Sequence, residues 1–234
     1  MLKVENLRTF NWEGALRGLR NPMNSWAKSD STFDENGNFI NIGENDLRLM
    51  KTLFKAGTEH RKYLRQIFVS MDITAPFYFW KDMSTYKIGV TSNSCSTMHK
   101  LTSKPITLDD FSIDDDDDMD VGEISLKDFF RIVVANCETY RQKYLIYKQK
   151  AKLNPKKAKH YNSCAKRYWR KLVQLLPSAY NQKRTITMNY ENVFNIIHQR
   201  QNHKLSEFHT LCDVLKTLPY VQELLSSLDE KEIK

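Results

Sequence analysis

Arg200 is the residue whose type and position most demand a chemical explanation. Val193, Ile197, Arg200, Lys204, Phe208, Leu211 and Leu215 fall on nearly one stripe of the long helix expected after Asn189, itself a good N-cap. A guanidinium among core-facing positions must be paired or face a ligand, because desolvating a lone cation is costly. A buried structural ion pair and a ligand-facing cation both meet that demand.

The other chemical signals are electrostatic. The net charge of +8 averages two opposed regions. Residues 109–123 (DDFSIDDDDDMDVGE) carry nine acids and no base, which leaves 36 bases against 19 acids elsewhere, a net of +17. From Thr139 to Tyr190 there is no acid and there are 14 Lys or Arg residues. Such a face attracts anions: a nucleotide, a nucleic-acid backbone or the acidic segment itself. The alternative is a well-solvated pair of basic helices.

Five adjacent aspartates repel one another and make a flexible loop, without the spaced carboxylates and central glycine of an EF-hand. Cys95, Cys137, Cys164 and Cys212 are far apart, with no paired-cysteine motif, and read as reduced, mostly buried thiols with no metal or disulfide role. His99, His198, His203 and His209 read as helix-surface or packing residues.

The elements that must position these groups follow from periodicity and breakers. The 234 residues, 41% hydrophobic and 12% aromatic, bury a sizeable core and fit one domain spanning 1–234, with the acidic loop at about 109–123. No stretch has the length and apolarity of a signal peptide or membrane span, so a soluble, cytoplasmic protein is expected. A strand is expected over Leu2–Phe10, a helix through Gly14–Leu19 ended by Asn21-Pro22, and a turn at 34–38. A helix over Asp46–Lys55 stops at Gly57, and Thr58 can cap another beginning at Glu59. Ile67, Val69, Met71 and Ile73 alternate as in a strand, which Ala75-Pro76 ends ahead of a helix over Phe77–Met83. Helix-to-loop chain follows at 85–100, then two helices at about 124–151 and 156–176, a strand over Lys183–Met188, and one long closing helix.

Two of these stretches together resemble the flavin-dependent thymidylate synthases. The first is HRKYLRQIFVSMDITAPFYFWKDMSTYKIGVTSNSCSTMHK, from His60 to Lys100. It is similar to that family's histidine-started helix, strand ending in Ala-Pro, aromatic helix, and signature R-H-R followed by N-E-x-S-x-R. The second is LPSAYNQKRTITMNYENVFNIIHQR, from Leu176 to Arg200, similar to the family's Leu-Pro, strand, asparagine, helix and arginine.

The resemblance implies an α/β (α+β) fold, a central mostly antiparallel sheet flanked by long helices, like the thymidylate synthase-complementing proteins. It also implies residue roles. His60, Asn189 and Asn195 match positions that touch the flavin, and Arg200 matches the arginine that binds and polarises the pyrimidine. Ser96 and Asn93 match the serine and asparagine of the signature, which implies a catalytic role for Ser96 and a cofactor contact for Asn93.

Other positions depart from the pattern. The R-H-R triplet is Thr85-Tyr86-Lys87, so Lys87 keeps one cation and Tyr86 puts a phenol where the family has an imidazole; both are expected at the cofactor. The signature acid is Ser94, its phosphate-gripping arginine is Met98, and a further such arginine is Val173. Losing both arginines removes bidentate phosphate contacts, and Arg17, Arg20, Arg170 and Lys171 are candidates to replace them.

The implied reaction is reductive methylation of dUMP or a related pyrimidine nucleotide with FAD. Electrons would come from NADPH and the carbon from methylenetetrahydrofolate. The implied assembly is a homotetramer with sites shared between subunits. Two rivals stand beside this reading: a non-catalytic flavin- or nucleotide-binding relative, and a nucleic-acid-binding protein using the acid-free helices, where Tyr161, Tyr168 and Trp169 lie among bases.

Overall fold

The computed structural model describes residues 2–114 and 124–229. They divide into two compact units, one of Thr74–Lys81, 94–114 and 124–183, the other of Leu2–Ile73, Asp82–Asn93 and 184–229. Most of the expected acidic loop lies outside the described residues. Of its start, Leu108–Asp110 forms a single 3-10 turn in which the Asp110 carboxylate accepts from the Thr107 N–H at 3.0 Å.

The architecture is the expected mixed α/β one, an antiparallel sheet with helices. The strands β1 (Lys3–Phe10), β4 (Phe68–Pro76), β6 (Asn181–Asn189) and β5 (Thr91–Ser94) lie in the spatial order β1-β4-β6-β5. The alternation in β4 is the one the sequence showed: Val69, Met71 and Ile73 are buried, while Ser70 and Asp72 on the other face are half-buried. That second face is tied by polar bonds, with Asp72 accepting from the Thr185 hydroxyl at 2.6 Å and the Asn6 amide at 2.9 Å. A small hairpin of β2 (Thr32–Phe33) and β3 (Phe39–Asn41) brackets the expected turn.

In the larger unit, helices α1 (Trp12–Arg20) and α2 (Glu44–Ala56) follow β1 and the small hairpin. Trp12 packs edge-on to Tyr190 at 5.2 Å, and the Tyr190 hydroxyl donates to the Pro219 carbonyl at 3.1 Å. Arg20 donates to Asp46 at 2.6 Å, both buried, and Asp46 also accepts from the Ser29 and Ser31 hydroxyls. Burial works to raise the Asp46 pKa, yet the Ser31, Ser29 and Arg20 bonds outweigh it and hold the carboxyl below its ordinary range.

The smaller unit contains α3 (Phe77–Met83, through Lys81), α4 (Thr97–Lys100) and the hairpin of α5 (Leu126–Leu153) and α6 (Ala158–Leu175). Asn154 breaks the hairpin and its side chain accepts from the Lys157 N–H. The core here is Leu101, Ile106, Phe111, Phe130, Val133, Cys137 and Leu172.

Three elements differ from expectation. No helix starts at Glu59: Gly57 takes φ 117°, and after a turn at 58–60 only a 3-10 turn, Lys62–Arg65, follows. β5 occupies chain read as loop, because its residues TSNS are all exposed and show no apolar alternation. The closing helix is three: α7 (Tyr190–Arg200), α8 (Ser206–Lys216) and α9 (Val221–Asp229). The first break is held by His203, whose Nδ1 accepts from the Leu205 N–H at 3.1 Å, and the second by Pro219 and the left-handed Tyr220. No helix among the described residues is long and apolar enough to cross a membrane.

Candidate functional site

The start of α7 is built by Asn189. Its side-chain oxygen accepts from the Asn192 N–H at 3.0 Å, the N-cap bond the sequence suggested. Asn192 in turn donates to the Ile88 carbonyl at 3.0 Å and so docks the 84–90 loop on the helix. Gly89 makes that approach feasible, since its φ is 73° and a Cβ there would lie 2.8 Å from the Asn189 amide.

That loop delivers Tyr86 to the other end of α7. Arg200 Nε donates to the Tyr86 hydroxyl at 3.0 Å, and the hydroxyl donates to Gln199 Oε1 at 2.9 Å. The Arg200 guanidinium lies 4.9 Å from the Phe208 ring centre and 5.5 Å from that of Tyr86. Among the described residues its partners are thus a phenol and two aromatic faces, not a carboxylate. Such a cradle fixes the side chain while leaving its charge uncancelled. Arg20, by contrast, is buried in an ion pair with Asp46, which removes it from the candidate phosphate cations.

Asn195 lies about 140° round α7 from Arg200 by helix geometry. It is exposed and lines a cavity of about 500 Å3 with Phe54, Arg61, His198, Gln201 and Lys216. Arg61 stacks over the Phe54 ring at 5.2 Å, and its Nε is buried without a hydrogen-bond partner among the described residues. A buried unpaired N–H is costly, and the same Arg61 side chain contributes to the cavity wall. His60 is exposed and immediately precedes Arg61.

The structure therefore brings Tyr86 to Arg200 and Asn189 to the same loop, and it puts Asn195 on a separate wall. Lys87 and Asn93 are exposed, Asn93 on β5. Ser96 belongs to the smaller unit, where it caps α4 by accepting from the His99 N–H at 3.3 Å. Met98 is exposed, and Val173 packs against the core of the smaller unit.

Sequence reasoning missed Arg61, Gln201 and Lys216; His198, read as a helix-surface residue, is exposed on α7 and lines the cavity. These groups come from different elements, and only Arg61, next to His60, carried a local hint.

The sheet and its helices make a fold that solved structures of flavin-dependent thymidylate synthases share. No protein-family model and no curated protein matches the sequence. Solved structures do match in fold, two of them as follows. One is flavin-dependent thymidylate synthase ThyX from Helicobacter pylori complexed with FAD and dUMP, at 15% identity, covering 91% of each chain, with a TM-score of 0.55. The other, ThyX from the same organism with FAD and dUMP, is 15% identical, covers 97% of this chain and 99% of that one, and has a TM-score of 0.61.

Proposed function

We propose that this protein binds a flavin nucleotide and a pyrimidine nucleotide and carries out the thymidylate synthase type of reaction, reductive methylation of dUMP or a related nucleotide with FAD. The supporting observation is the state of Arg200: in this fold, at the position matching the pyrimidine-polarising arginine, its guanidinium rests on Tyr86 and Phe208 with its charge uncancelled. FAD, when bound, supplies the hydride, with NADPH as electron source and methylenetetrahydrofolate as carbon donor. Arg200 stabilises negative charge on the pyrimidine, and Tyr86 holds it in place for that task. Asn195 and Arg61 offer hydrogen bonds to the flavin nucleotide from the cavity wall, beside His60. Asn189 and Asn192 fix the loop that presents Tyr86 and Lys87. Ser96 and Asn93 complete the proposed set on the resemblance alone.

A second reading rests on Met98 and Val173. One is exposed and apolar, the other is committed to packing, and neither grips a phosphate. A relative that binds flavin or nucleotide without turnover accounts for both. The two readings separate in one experiment: the purified protein is titrated with FAD by visible absorbance, then assayed for NADPH oxidation with and without dUMP. Flavin uptake with nucleotide-dependent oxidation supports the enzyme, and uptake without oxidation supports the binder. Absence of flavin uptake overturns the enzyme, and absence of both flavin uptake and dUMP binding overturns the binder as well.

A further inference from the structure

The outer face of α6 carries positive charge that the proposed flavin site does not use. Lys159, Ser163, Lys166 and Arg170 are all exposed and fall within an arc of about 60°, opposite the buried Ala165 and Leu172. The bases on this stripe span about 16 Å of helix, and no apolar side chain interrupts it. The hairpin offers little to neutralise them. Arg141 is answered by Glu138 at 2.8 Å, and beyond it no acid occurs until after Tyr190. Lys156, Lys157 and Lys159 crowd the start of α6, whose first turn holds no acid, so three cations add to the positive end of the helix dipole. Lys166 and Arg170 repel as like charges four apart. Each feature opposes stability of the free hairpin and favours an extended anion beside it.

Four tyrosines among these bases are already engaged with one another. Tyr147 and Tyr168 stack at 5.5 Å and 15°, with Tyr140 at 6.4 Å from Tyr168 and Tyr161 at 6.3 Å from Tyr147. Lys150 lies over the Tyr147 ring at 5.4 Å and Lys171 over the Tyr140 ring at 5.8 Å. These four rings stiffen the hairpin and orient its cations, and so are not free to stack on unpaired bases.

We propose that the outer face of α6 binds the phosphate backbone of a nucleic-acid duplex without reading its sequence. A duplex strand presents one charge per about 3.4 Å of axis, so a stripe of this length meets several phosphates, which a free nucleotide cannot supply. A lipid surface is the poorer partner, because the stripe has no apolar residue to insert.

The test is fluorescence anisotropy of the full chain with a labelled DNA duplex, the matching single strand and phosphatidylserine vesicles, across a salt series. Duplex binding with a log–log salt slope of about −3 is expected, from three or four phosphate contacts. K166E/R170E lowers affinity at low salt by at least about tenfold and makes the slope shallower by about 2. K3E/R8E, an equal charge change on β1, leaves binding within about twofold. The proposal is overturned by an absence of duplex binding at low salt, by equal losses in the two variants, by preference for the single strand, or by vesicles binding where duplex does not.

Discussion

The Tyr86 hydroxyl converts two flexible side chains into one fixed group, since it accepts from Arg200 and donates to Gln199. Tyr86→Phe keeps the ring under the guanidinium and removes the bond, a loss on the order of 1 kcal/mol, or about fivefold to tenfold in rate. Arg200→Ala removes the charge itself and is expected to lower nucleotide-dependent NADPH oxidation by about 100-fold or more, with FAD uptake retained. Steady-state kinetics beside a flavin titration checks both, and equal losses in the two variants would place the hydroxyl at the chemistry instead of in a supporting role. The thiols give a second residue-scale expectation. Burial pushes Cys137 up to about 11 and raises Cys212, whereas Cys95 is exposed. A thiol reagent at neutral pH should therefore label Cys95 readily and reach Cys137 and Cys212 only on unfolding, as mass spectrometry of modified peptides would show.

At the scale of elements, the 84–90 loop depends on one backbone conformation. Gly89→Ala asks an L-residue for positive φ and thrusts a methyl at the Asn189 amide, so a loss of about 1–3 kcal/mol is expected in denaturant melts. The loop's dependence on Gly89 was not visible in the sequence, because it arises from a helix start far along the chain. What was visible obeys local rules. β4 announced itself by alternation, α5 and α6 by Asn154-Pro155, and α7 by Asn189. The split of the closing helix was hidden, since Arg200, Lys204 and Phe208 keep helical spacing across a break made by the His203 side chain. Likewise the stripe placed Arg200 among core positions, and the sequence could not tell that Arg20 and Asp46 would take the buried ion pair. The candidate site was legible where residues are neighbours in sequence, as at Asn189 to Arg200, and illegible where distant elements converge, as at Arg61 and Lys216.

For the whole molecule, acid stability should report the Arg20–Asp46 pair. Asp46 titrates below its ordinary 3.8 in the folded state, so its contribution is complete above that value and is lost as pH falls through the lower folded pKa. Asp46→Ala leaves Arg20 buried without its partner and should cost about 3–5 kcal/mol at neutral pH, with a flatter acid limb in pH-dependent melting.

The arrangement around α7 leads to a last expectation, about assembly. Asn195 lines the cavity while Arg200 bonds Tyr86, so the contacts proposed for flavin at Asn195 and for pyrimidine at Arg200 lie on different sides of one helix. A single site using both sets draws on more than one copy of the chain, as the implied tetramer would allow. Light scattering should then give the mass of four 27.6 kDa protomers. Asn195→Ala and Arg200→Ala should each be nearly inactive alone and regain part of the activity when co-refolded, because some mixed assemblies hold a site with neither change. A monomer in solution, or no recovery on mixing, would mean that each protomer's two surfaces work apart and that the shared-site reading fails.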